Sequence, residues 1–183
     1  SIITEEVEVS SGVTNTIRII SNNPIDFDGG GGKAPQNGWY MDLISPVNGV
    51  EGERVIADPQ LRNVNSSTSV LFNTFVPGGS CESIGGFSAL MVFDAISGSR
   101  TPFSVFDLDN DGQVTDNDKE SSTGFAVNGR INRQSVSAVT VVASGDATES
   151  FVVESSTQSV SPSISTVAGA NISLGRQSWR QLQ

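Results

Sequence analysis

Five of the chain's 20 acidic residues fall within DLDNDGQVTDND, between Asp107 and Asp118, in a chain whose formal net charge is already -10. Carboxylates this close repel one another, so their crowding calls for a compensating cation. The spacing fits a calcium loop, in which oxygen ligands come from positions 1, 3, 5, 7, 9 and 12, with Gly at 6 for a sharp turn. Counting from Asp107 places Asp109 at position 3, Asp111 at 5, Gly112 at 6, the carbonyl of Gln113 at 7, Thr115 at 9 and Asp118 at 12. Val114, at position 8, is the hydrophobic anchor. These six residues are the expected ligands of Ca²⁺, which takes six to eight oxygens; Mg²⁺ demands a tighter octahedron and keeps its waters.

The loop departs from an EF-hand in two respects. Position 12 is Asp rather than the longer Glu, and the flanks TPFSVF and KESSTGFAV read as strand or loop, not helix. The expectation is an EF-hand-like loop set between β-strands. Asp116, at position 10, replaces Thr115 or Asp118 if the loop is shorter. Asp26 and Asp28 could form a second cation site, although two carboxylates are few. IDFDGGGGKA does not make a phosphate loop: Phe27 stands where the first Gly is needed, and Ala34 follows Lys33 where Ser or Thr is needed.

The elements that must position the loop are strands. TNTIRII (15–21), GWYMDLI (38–44), SVLFNTFV (69–76), SALMVFDA (88–95), SVSAVTVVA (135–143) and SFVVE (150–154) are rich in β-branched and aromatic residues. Fully apolar stretches within them predict burial on both faces. Trp39, Tyr40, Phe72, Phe75 and Phe93 are assigned to the core. Turns at NNP, PVNG, PGGS, SGSR and SGDA punctuate the strands, and 28–38 reads as a flexible loop. The fold class is all-β, a sandwich, barrel or propeller. Residues 1–14 read as a linker or added strand and 15–183 as the domain.

Composition narrows the function. An acidic surface repels phosphate backbones and anionic lipid, so nucleic acid is not the expected partner. No apolar run approaches the roughly 18 residues of a membrane span. The chain has no His, which removes Ser-His-Asp and Cys-His catalysis and the commonest general base; the expectation is a protein that is not an enzyme. Cys81 is the lone cysteine, read as a buried thiol or as one half of a bridge to a longer chain. With no initial Met, the chain reads as processed or excised from something longer. Asn65 and Asn171 open sequons, and the basic tail GRQSWRQLQ is a closing strand or a docking peptide.

GWYMDL (38–43), GERVIADPQLR (52–62), FNTFVPGGSCESIGG (72–86), LMVFDAISGSR (90–100), the aspartate loop and GRQSWRQL (175–182) occur in this order. From about residue 16 onward the chain resembles the C-terminal region of the PilY/PilC family of type IV pilus tip-associated biogenesis and adhesion proteins. The resemblance implies blades of a quinoprotein-like β-propeller, here its C-terminal part or a shortened form. It implies export to the cell surface or pilus tip, outer-membrane associated or extracellular. The implied partners are pilins or minor pilins, the remainder of the same tip protein, and a host or abiotic surface. It also implies calcium held by Asp107, Asp109, Asp111 and the Gln113 carbonyl, antagonising pilus retraction; Thr115 stands where family loops often have Asp. The alternatives are a purely structural, calcium-stapled module of an exported protein and a quinoprotein-type oxidoreductase.

Overall fold

The structure, a computed structural model, describes residues 2–10, 13–44, 49–64, 67–77, 86–132, 136–143, 148–155 and 163–168. Among them there is no α-helix. Ten strands run in chain order as β1 (Ile2–Ser10), β2 (Val13–Ile20), β3 (Arg54–Val55), β4 (Gln60–Val64), β5 (Ser67–Val76), β6 (Phe87–Asp94), β7 (Gly129–Asn132), β8 (Val136–Ala143), β9 (Thr148–Ser155) and β10 (Ser163–Ala168). The first seven form one antiparallel sheet in the order β1-β2-β7-β6-β5-β3, with β4 also on β5; the last three form a second sheet, β10-β9-β8. The all-β expectation holds. The described residues show one open seven-stranded sheet and one three-stranded sheet.

Period-2 alternation sends successive side chains of the large sheet to opposite faces, and both faces are covered. Ile17, Ile19, Leu71, Leu90 and Val92 lie on one face beneath Val105, Phe106, Leu108 and Val127. Ile20, Phe72, Ala89, Met91 and Phe93 lie on the other, with Met41 against them. This explains why β6 is buried along its length rather than on alternate residues. Removing a side chain such as that of Phe93, 1% exposed, would cost about 3–5 kcal/mol.

On this second face Arg18 donates to Glu53 at 2.5 and 2.9 Å, both side chains 1% exposed. This ion pair ties β2 to the segment entering β3. At the middle of the sheet, Asn128 extends the ladder just before β7 begins. Its Oδ1 accepts from Ile20 N and its Nδ2 donates to the Val92 carbonyl, so neither neighbouring strand is left unpaired there.

Two expectations are corrected. GWYMDLI is not a strand: 38–44 has no ladder partner and runs irregularly, held by a side chain instead of backbone pairing. Trp39 stands edge-on to Phe93 at 5.0 Å, and its Nε1 donates to the Ala95 carbonyl. Tyr40, expected in the core, is 87% exposed, because the irregular chain turns it away from the face that Trp39 covers. Phe72 and Phe93 are core residues as expected, 5.4 Å apart edge to face. The loop from 28 is fixed at its start: Asp26 Oδ1 accepts from the N–H groups of Asp28 and Gly29, and Oδ2 from Gly30. Cys81, both sequon asparagines and the tail 175–183 lie outside the described residues.

Candidate metal centre

The aspartate loop leaves the sheet after β6, where Val105, Phe106 and Leu108 pack onto the first face. These apolar neighbours fix Asp107 at the sheet surface and bury it, at 4% exposure. Asp107 Oδ2 accepts from Gly112 N at 3.0 Å, which folds the loop back on itself. Asn110 and Gly112 adopt left-handed backbone, with φ of 59° and 85°. Asn tolerates this conformation and Gly adopts it without strain.

Asp118 closes the loop. Its Oδ1 accepts from Leu108 N at 2.7 Å and from Asp109 N at 3.4 Å, and its Oδ2 accepts from Thr115 N at 2.7 Å. Asp118 itself is 1% exposed. Thr115 caps the short 3-10 turn Asp116–Asp118 by accepting from Asn117 N. Val114 is half-buried, as expected of the anchor. Beyond the loop, Lys119 bridges to Ala126 in antiparallel fashion, and Glu120 accepts from the N–H and hydroxyl groups of Ser122 and Thr123. Burial opposes ionisation of Glu120, but these hydrogen bonds outweigh it and bring its carboxyl to about 2.

Of the six predicted ligands, the structure brings three together. Carboxylate oxygens of Asp107, Asp109 and Asp118 lie within 4.8 Å of one another. Oxygens bound at 2.3–2.6 Å to one Ca²⁺ can be at most about 5 Å apart, so the triad fits a single ion. Asp107 Oδ1 is buried and has no hydrogen-bond partner. Such an oxygen is costly unless something positive meets it. Burial raises the Asp107 pKa, and the charges of Asp118 and Asp109 raise it further, against hydrogen bonds from the backbone of Gly112 and Asn110. The donor set is hard oxygen throughout, which suits Ca²⁺ rather than a soft transition metal.

The other expected positions are placed differently. Asp111 is exposed and accepts from Gln113 N at 2.7 Å, outside the triad. The Thr115 hydroxyl is engaged in its cap. Asp116 is exposed and pairs with Lys119 at 2.7 Å, apart from the other carboxylates. Asp26 has both oxygens committed to backbone N–H groups, so the structure forms no second cluster of three with Asp28 among the described residues. Arg130, which the sequence reading did not single out, feels the charge of Asp107 from β7. It lies outside the loop motif, so only strand pairing could have revealed it.

No family model matches the chain. It is 36% identical over 100 residues to the type IV pilus biogenesis factor PilY1 of Pseudomonas aeruginosa, a match covering 54% of this chain and 8% of that protein. It is 27% identical over 151 residues to a PilY1 homolog of Xylella fastidiosa, covering 80% of this chain and 11% of that one. The crystal structure of the P. aeruginosa PilY1 C-terminal domain superposes with a TM-score of 0.67 at 26% identity, over 90% of this chain and 30% of that one. The chain thus spans a small part of its relatives' length. Its homologues are PilY1 type IV pilus biogenesis factors, as the order of the motifs implied.

Proposed function

We propose that, as a homologue of the PilY1 biogenesis factors, this chain is a calcium-binding, non-enzymatic β-module of a type IV pilus tip-associated protein. It acts in pilus assembly, in the control of retraction and in adhesion to a surface. The observation that carries the calcium reading is the buried, unpartnered Asp107 Oδ1 beside the carboxylates of Asp109 and Asp118. The pilus role is supported by the similarity to PilY1 factors. Its partners would be pilins or the remainder of the same protein, at the cell surface or pilus tip. The propeller reading takes this chain as blades of a larger domain, since it spans 30% of the solved PilY1 domain.

In this reading Asp107, Asp109 and Asp118 hold the ion, with Asp111 swinging in from the surface and the Gln113 carbonyl completing the set. The ion supplies charge neutralisation and a fixed loop. The loop then fixes segment 105–108, which covers one face of the sheet. The purely structural alternative retains the ion as a staple and places partner binding elsewhere. A non-enzymatic module stays redox-silent when pyrroloquinoline quinone is added.

The test is calorimetric calcium titration with thermal melts in calcium and in chelator. Wild type is expected to bind at micromolar to millimolar Kd and to gain stability. At 100 times Kd the gain is about 2.7 kcal/mol, or roughly 5–10 °C for a chain of this size. Asp107→Asn should abolish both effects, whereas Asp111→Ala should weaken them. A folded wild type that binds no calcium would sink the reading.

A further inference from the structure

The centre of the large sheet carries a charge that its position does not require. Arg130 pairs with Ile17 of β2 on one side and with Leu90 of β6 on the other. Directly paired residues share a face, so Arg130 stands in the row of Ile17 and Leu90, on the first face. Ile17 and Leu90 belong to the same cluster as Phe106 and Leu108, the two residues that flank Asp107. Arg130 is thereby placed, half-buried, on the face of the sheet that the loop segment covers. Burial disfavours its charge, and the charge of Asp107 sustains it.

We propose that Arg130 is the built-in counter-cation of the aspartate loop and sets how tightly that loop holds a divalent ion. The inference rests on the calcium reading above and adds the residue that regulates the site. Three carboxylates gathered within 4.8 Å repel one another, and Asp107 has no positively charged neighbour within its own loop, whose residues are acidic or neutral from Leu108 to Asp118. Arg130 supplies part of the compensation from the adjoining sheet. It stabilises the ion-free loop and repels an entering cation, so the same charge raises ion-free stability and lowers affinity. The ion and the arginine both act on the charge of one carboxylate, the ion by contact and the arginine from the adjoining strand.

The test compares wild type with Arg130→Met and Arg130→Gln, which remove the charge, and Arg130→Lys, which keeps it. Calcium is titrated into each by calorimetry, and each is melted in chelator and in calcium. The neutral variants should bind calcium roughly tenfold more tightly, as expected for removing one charge at partly screened range. They should melt lower in chelator and gain more from calcium than wild type does. Arg130→Lys should stay close to wild-type affinity. Affinity within about twofold of wild type in both neutral variants would overturn the proposal while leaving the calcium site intact. Equal tightening in Arg130→Lys would also overturn it, by showing that shape and not charge matters. If neither neutral variant folds even in millimolar calcium, Arg130 is a structural residue of the sheet and the proposal falls. If wild type binds no calcium, the calcium reading falls, and this proposal with it.

Discussion

Each carboxylate in and near the loop has a distinct task, set by the backbone around it. Asp118 spends its oxygens on three N–H groups and closes the loop, while Asp107 keeps one oxygen free and buried. The spacing of Asp107, Asp109 and Asp118 was legible because side chains at these intervals converge when the chain curls through Gly112. The outward placement of Asp111 and the capping role of Thr115 were not, since both depend on local hydrogen bonds to backbone two residues on. Gly112 is open to a methyl group in space but not in conformation. Gly112→Ala should therefore cost about 1–2 kcal/mol in chelator, read from denaturant midpoints, and on the proposed calcium reading should weaken calcium binding as well. Asp94 offers a pH test away from the loop. Burial raises its pKa, but hydrogen bonds from Ser67, Ser97 and Ile96 prevail and lower it below 3.8. A lowered folded pKa stabilises above the unfolded value and is lost as pH falls through the folded one. Wild type should lose this contribution only below about pH 4, and Asp94→Asn should flatten the stability profile there.

At the scale of elements, strands with strong composition were readable and short polar ones were not. β5 and β6 lie where their branched and aromatic residues predict. β4 (QLRNV) and β7 (GRIN) owe their conformation to the strands beside them, a tertiary cause that local propensity does not record. Segment 38–44 fails in the opposite sense: its aromatic residues look like a strand, but Trp39 serves as a lid. That lid needs Gly98, where a Cβ would stand 2.3 Å from Trp39 Cγ and where φ is 67°. Gly98→Ala should displace the indole from Phe93. The expected outcome is a red shift and rise in quenchability of Trp39 fluorescence, measured with Trp179 replaced by Phe, with a stability loss of about 2 kcal/mol or more.

For the whole molecule, the sequence indicated strands buried on both faces, and the two covered faces of the large sheet agree. The sheet's width and strand order depend on long-range pairing that no local pattern encodes. The Arg18–Glu53 pair is one of these long-range contacts. Glu53→Ala leaves a buried guanidinium without its partner and should cost about 3–5 kcal/mol, seen as a lower thermal midpoint. Arg18→Met combined with Glu53→Leu should recover most of that loss, because apolar residues of similar volume replace buried ion pairs well. The position of β7 carries a consequence for how the molecule assembles. β1–β2 and β5–β6 are each neighbours in sequence and can pair early, but in the sheet of the described residues β7, which follows the aspartate loop in the chain, lies between β2 and β6. Ladder pairing between the two halves of the sheet waits until residues 129–132 have emerged and segment 95–128 has closed. Closing that segment carries the entropic penalty of a long loop and slows folding as other non-local pairings do. On the calcium reading proposed above, an ion that folds the loop in advance would shorten the flexible span, and calcium would then set the rate at which the sheet is sealed as well as its stability once formed.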